Sequence, residues 1–224
     1  MPPAALLSSD ELDQVNVELE HAPASTIVAW AVQRVGVEHL CIASSMADTV
    51  ALSIALDVAP TLEVVFLNTQ YHFAETWATV EAMKVKHPGM QLRVMEPTVA
   101  PDELWKTNLE RCCAVRKVEP LERALAGKHG WFTGVRRVDA TTRTDAPVVT
   151  IDKRGLVKVN PLATWTDEDV ASYAADHQVP LHPLLSQGYP SIGCWPCTRK
   201  PADGEDPRAG RWAGSAKVEC GLHV

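Results

Sequence analysis

The sequence predicts an α/β fold, a doubly wound and mostly parallel sheet that ends in a mobile C-terminal tail. Three observations carry this. Short apolar runs alternate with longer amphipathic segments through most of the 224 residues. Polar caps stand at the starts of several amphipathic segments. From about Pro183 onward the alternation stops, and Gly, Pro and charge take over. Successive parallel strands need a long crossover, usually a helix, so this alternation implies a parallel sheet.

Each element follows from its own stretch. "SSDELDQVNVELEH" begins with Ser8 and has Glu11 three residues on, a reciprocal capping pattern that predicts a first helix. Pro23 opens a second helix over about 24–35, since its fixed φ suits a first turn. "EHLCIAS" has the character of a buried strand, and "DTVALSIALDVA" follows as a helix. "LEVVFLN" is a second strand, "HFAETWATVEAMKVKH" a helix and "QLRVME" a third strand. "DELWKTNLE" and "CCAVRKVEPLERALAG" both read as helical, the second bent at Pro120. "GWFTGV" is a fourth strand, and "APVVTIDKRGLVKVN" a hairpin turning at Lys153–Gly155. "TWTDEDVASYAADH" is a helix capped by Thr166, with Asp169 three residues later. There is no internal repeat and no low-complexity block.

Composition narrows the function. A hydrophobic content of 46% supports a sizeable core. No apolar run reaches the roughly 18 residues of a membrane span. The opening "MPPAALLSSDELDQ" lacks a basic start and a long apolar stretch, which argues against a secretory signal and for the cytoplasm. A net charge of −7 disfavours non-specific binding to nucleic acid. An anionic ligand would need a local basic cluster. Six cysteines stand at 41, 112, 113, 194, 197 and 220. In a reducing compartment, metal-binding or catalytic roles outweigh disulfide staples for them.

Two cysteine pairs stand out. "IGCWPCTR" holds Cys194-x-x-Cys197, with Gly193 just before it and Pro196 within it to bend the backbone, and "ERCCAVRK" holds the vicinal Cys112 and Cys113. Four thiolates suit tetrahedral zinc or a 4Fe–4S cluster. Adjacent cysteines strain toward one small ion, whereas a cubane offers separate iron corners. The plainer alternative is a redox dithiol at Cys194-x-x-Cys197 with Cys112 and Cys113 merely buried. Cys41, inside an apolar strand, reads as core. Cys220 differs from all of these. It sits in "KVECGLHV" at the chain end, where segments are usually mobile and wet. A cysteine there is either incidental or a nucleophile that travels.

"ERCCAVRKVEPL", "GYPSIGCWPCT" and "RAGRW…VECGLH" together resemble the assimilatory adenylyl sulfate (APS) and phosphoadenylyl sulfate (PAPS) reductase family. "VVFLNTQYHFAETW" resembles that family's segment after the second strand, and "TGVRR" followed by Arg143 its arginine segment. The likeness runs from about Cys41 to the C-terminus. It implies an adenine nucleotide alpha hydrolase-like fold, with 1–197 as the nucleotide-binding reductase domain and 198–224 as the tail carrying the nucleophile. The branch that keeps both cysteine pairs is associated with APS and a 4Fe–4S cluster, which here implies Cys112, Cys113, Cys194 and Cys197 as ligands. The branch without them favours PAPS. The implied reaction has Cys220 attack the sulfate sulfur and release AMP, after which thioredoxin frees sulfite from the S-sulfocysteine. A tail serves two sites in such a scheme, where a rigid cysteine would serve one.

The resemblance makes Lys117, Arg208 and Arg211 the leading sulfate and phosphate contacts, followed by Arg136, Arg137 and Arg143. His223 would orient the tail or bind ligand. The cluster would position Lys117 and tie the two cysteine segments together. Two departures stand out. "SSMADTV" has no glycine where relatives have a glycine-containing phosphate loop, so Ser44, Ser45 and Asp48 would have to do that work. "LNTQ" has Asn68 where the family more often has Asp. Rival readings are a four-cysteine zinc protein, an ATP-using adenylating relative and a PAPS reductase. Partners would be the small nucleotide and thioredoxin, with neither nucleic acid nor membrane. A homo-oligomer is compatible with the sequence.

Overall fold

The computed structural model describes residues 7–215, 217 and 219–222. The strands are β1 (Leu40–Ser44), β2 (Glu63–Leu67), β3 (Gln91–Met95), β4 (Gly130–Phe132), β5 (Val149–Ile151) and β6 (Val157–Val159). They form one sheet in the order β3-β2-β1-β4-β6-β5. All neighbours are parallel except β5 with β6, the expected hairpin.

The helices are α1 (Ser9–Leu19), α2 (Ala24–Val35), α3 (Val50–Val58), α4 (Ala74–Lys86), α5 (Leu104–Thr107), α6 (Leu109–Cys113), α7 (Glu119–Leu125), α8 (Asp167–Asp176) and α9 (Pro183–Ser186). Both foreseen capping boxes are present, Ser8 with Glu11 and Thr166 with Asp169. Alternate residues of the strands feed opposite faces, as the two-residue period of a strand requires. Ile42, Val64, Phe66 and Phe132 join the larger core with α2, α3 and α4. Cys41, Val65, Leu67 and Trp131 join a smaller one under α7. The sheet is therefore covered on both faces. No described helix is long and apolar enough to cross a membrane.

The helical stretch around the vicinal cysteines differs from expectation. It is not one helix bent at Pro120. Asn108 caps α6 by accepting the Arg111 N–H, which separates α5 from α6. After Cys113 the backbone opens into a π-helical turn over Ala114–Val118 before α7 begins. Pro120 has no N–H to return to the carbonyl four residues back, so a regular ladder cannot run through this point. Such wide turns occur often at functional sites.

The chain beyond Pro183 is also more ordered than the loop expected there. It holds α9, a helical turn at Trp195–Cys197 and an antiparallel bridge between Thr198 and Arg211. Trp212 is buried and donates its N–H to the Cys197 carbonyl at 3.0 Å.

Candidate active site

Strand β1 lies between β2 and β4, so the crossovers leave it in opposite directions. Ligands of open α/β sheets bind at the carboxyl ends of strands beside such a switch point. Here those ends lead into residues 45–49, 68–73 and 133–143.

The loop after β1 solves its missing glycine in an unusual way. Met46 takes φ +61°, the left-handed region a glycine would occupy freely, and is fully buried. The Ser44 and Ser45 hydroxyls accept the backbone N–H groups of Met46 and Ala47, and the Asp48 carboxylate accepts that of Val50. These donors face the loop's own side chains. Burial pushes the Asp48 carboxyl up, with the Val50 N–H and Arg136 opposing it.

The three arginines after β4 separate. Arg136 stays beside Asp48 at the switch point, bonded to Asp139 and Asp167 at 2.8 Å each. Arg137 turns away toward the end of α1, where it forks onto Glu20 and donates to the Ala146 carbonyl. Arg143 points to the tail and forks onto Glu219, with both N···O distances 2.8 Å.

Both cysteine pairs line one pocket with Tyr71, Trp105, Arg116, Lys117 and Trp212. Cys112 and Cys113 end α6, while Cys194 caps the helical turn of the C-x-x-C segment and Cys197 is its last residue. Hydrogen bonds fix that segment in place: Trp195 N–H to the Tyr71 carbonyl at 2.8 Å, and the Cys194 thiol to Thr69 Oγ1 at 3.3 Å. Gly193 is required here, because a Cβ would meet the Arg211 guanidinium at 2.2 Å. Burial, with repulsion from neighbouring thiolates second, lifts the Cys112 and Cys197 thiols to about 11. Such sulfurs ionise readily only around a cationic centre. The donor set thus fits a four-thiolate metal group. Among the described residues no three ligating side chains are already gathered around a single-ion point.

Cations close the other side of this pocket. Lys117 is buried on the π-helical turn. Burial opposes its charge, but the Cys194, Cys220 and Cys113 sulfurs outweigh this and hold its pKa above the ordinary lysine value. Arg211 donates to Ser191 Oγ at 3.1 Å and to the Ile192 carbonyl at 3.0 Å. Burial and then the Arg208 charge work against the Arg211 guanidinium, so an anion beside it is favoured. Arg208 reaches Ser191 and lies 3.8 Å from Glu219.

Cys220 is partly buried within this group, coupled electrostatically to Lys117, Arg143 and Arg211. The fold therefore brings Cys220, Lys117, Arg143, Arg208, Arg211 and both cysteine pairs to one face. It leaves Arg137 outside that group. His223 lies outside the described residues. Cys41 is fully buried in β1, and burial lifts its thiol to about 12, as a core cysteine should show. Sequence reasoning passed over Thr69, Tyr71, Trp212 and Glu219. Only Glu219, next to Cys220, offered a signal.

Residues 39–200 match the model of the phosphoadenosine phosphosulfate reductase domain. The chain is 52% identical over 191 residues to the adenosine 5'-phosphosulfate reductase of Mycobacterium tuberculosis (strain H37Rv), covering 82% of this chain and 75% of that one. It is 45% identical over 223 residues to the protein of the same name from Rhodococcus opacus, covering 92% and 90%. Among solved structures, the phosphoadenylyl-sulfate reductase of Candida auris in a phosphate complex superposes with a TM-score of 0.74 at 26% identity, covering 84% of this chain and 96% of that one. The FMN adenylyltransferase of Candida glabrata shares the fold alone, with a TM-score of 0.60 at 11% identity, covering 97% and 82%. By fold, by sequence and by the length of the match, this chain belongs to the phosphoadenosine phosphosulfate reductase family.

Proposed function

We propose that this protein reduces adenylyl sulfate to sulfite and AMP in sulfate assimilation, with thioredoxin as reductant and Cys220 as nucleophile. The observation that carries this is the setting of Cys220, a partly buried thiol among Lys117, Arg143 and Arg211 beside the four-cysteine pocket. The relatives at 45–52% identity named for the same substrate support it.

Cys220 attacks as its thiolate, the nucleophilic form of a thiol. Its sulfur forms a bond to the sulfate sulfur, the bond from that sulfur to the bridging phosphate oxygen breaks, and AMP leaves with the electron pair. Lys117, Arg208 and Arg211 offset the charge of the departing phosphate and of the sulfo group. A thioredoxin thiolate then attacks the Cys220 sulfur, and sulfite leaves with the bonding pair. The second thioredoxin thiol resolves the mixed disulfide and restores Cys220. This divides one difficult reduction into two displacements.

Cys112, Cys113, Cys194 and Cys197 would hold a 4Fe–4S cluster. When bound, it would supply a fixed charge beside Lys117 and a link between two distant segments. We read residues 1–197 as the nucleotide-binding part and 198–224 as the tail that alternates between substrate and reductant. The protein is read as cytoplasmic.

The test is anaerobic incubation with adenylyl sulfate in the absence of thioredoxin. Each active site should release one AMP and stop, and the protein should gain one SO₃ group, mapped to Cys220 and removed by reduced thioredoxin. An adduct on another residue, or AMP release that continues without reductant, would refute the scheme. Iron and acid-labile sulfide of about four each per chain are expected for the cluster, against stoichiometric zinc for the rival. A kcat/KM tenfold better on PAPS than on APS would overturn the substrate assignment.

A further inference from the structure

We infer that Glu219 is a positioning residue, a carboxylate latch that holds Cys220 at the substrate end of its travel. Its carboxylate receives the Arg143 guanidinium through two parallel hydrogen bonds of 2.8 Å, and the Thr142 hydroxyl at 3.1 Å. Arg208 adds a cation at 3.8 Å. The Glu219 and Arg143 side chains are each 14% exposed, so water competes poorly for either. Two parallel N–H···O bonds between a guanidinium and a carboxylate fix direction as well as distance. The residue they fix adjoins the nucleophile.

The contacts flanking Cys220 on either side make this a seat and not a stray ion pair. Lys217, its side chain 5% exposed, reaches Glu110 at 2.6 Å. Beyond the cysteine, Gly221 turns at φ +83° and Leu222 packs onto the smaller core near Cys41, Val65 and Trp131. A residue with a Cβ would be strained at that φ. Only the Glu219 contact is a two-pronged charged one within a residue of Cys220. The Glu110 carboxylate is largely exposed, and exposed pairs contribute little.

Arg143 lies 76 residues before Glu219, in the loop that follows β4 at the switch point. The latch therefore couples the tail to the edge of the nucleotide crevice. Opening it frees Cys220 for the reductant, and closing it returns the cysteine to Lys117 and Arg211. This rests on the proposed role of Cys220, but the latch itself can be measured without any reaction.

Hydrogen exchange of the C-terminal segment in the full-length protein, without nucleotide, reads the latch directly. Glu219→Gln should speed exchange there about ten- to hundredfold, as expected on losing a charge-assisted hydrogen bond. Arg143→Gln should match it, and the double variant should add nothing, because both remove one interaction. Unchanged exchange in Glu219→Gln, or additive effects in the double variant, would overturn the latch. The positioning role has its own readout. Glu219→Gln should slow the single-turnover AMP burst about tenfold or more while its amplitude persists. The dissociation constant for adenylyl sulfate, measured in a Cys220→Ser background, should stay within about twofold of that background alone. A burst of unchanged rate would overturn the positioning role. If the wild-type protein forms no adduct on Cys220, the reaction scheme fails, and the exchange data still decide the latch.

Discussion

The sheet and the cysteine lobe are held together by different physics. The sheet's larger core is apolar and dry: Leu40, Phe66, Phe132, Val157 and Val159 are essentially fully buried and pack against one another and against α2 and α3. The lobe's own apolar cluster is small, formed by Tyr71, Cys112 and Cys194 with Leu104 and Trp105 against it. Around it lie buried cations. Arg116 is 1% exposed, stacks on Tyr71 at 4.7 Å and bonds Gln70 and the Ala100 carbonyl at 2.7 Å each. Buried charge opposes folding unless it is paired. The lobe therefore relies on fixed polar partners and on a docked tail. The lesson is that apolar burial holds one region and paired buried charge the other.

That contrast can be broken in either direction. The largest expected effect is chemical. Cys220→Ser should abolish sulfite release and the protein-bound adduct, since a hydroxyl is far less ionised than a thiol at neutral pH. Its melting temperature and iron content should match the parent. Loss of iron would instead make Cys220 a ligand and dissolve the division between the two roles.

The next effect is purely structural. Leu40→Ala, at the start of β1 and away from the carboxyl ends of the strands, should cost about 2–5 kcal/mol in denaturant unfolding, from lost burial plus the cavity left behind. Activity per folded molecule should be unchanged. A large fall in kcat in that variant would show that the core and the site are coupled.

Cys194→Ser comes third and combines the two kinds of effect. Vacating one corner should lower iron from about four per chain to well under one. It should loosen the lobe, read as faster exchange across 194–212, while exchange in β1 and β2 stays slow. Global unfolding of this variant at ambient temperature would mean that the sheet depends on the lobe.

The smallest effect is a pH dependence. Burial raises the Glu219 carboxyl, but its bonds to Arg143 outweigh this and hold it below the usual carboxylate range. A carboxyl with a lower pKa when docked contributes to docking above its ordinary pKa, and that contribution fades as the pH falls through the docked value. Tail protection should therefore be flat from neutrality to about pH 5 and decline below about pH 4. The same titration in Glu219→Gln should be flat. A decline centred near pH 6.5 would point to a histidine instead.

Much of this was readable before any coordinates. Strand and helix identity depend on residues two to four apart, so periods and caps such as Ser8 with Glu11 were legible in the chain. The cysteine pairs and Cys220 were legible because few roles explain thiols at that spacing. Other features were decided only by the tertiary fold. Arg137 and Arg143 look alike in sequence, yet one is taken by Glu20, 117 residues away, and the other by Glu219, 76 residues away. The direction of a guanidinium is set by whichever acid the fold brings near it, and such pairs leave no local periodic signal. The left-handed turn at Met46 is of the same kind. No local rule places a bulky side chain at φ +61°, and it stands there because the surrounding core encloses it. Local chemistry thus specified which groups the protein owns, and only long-range packing specified which of them meet.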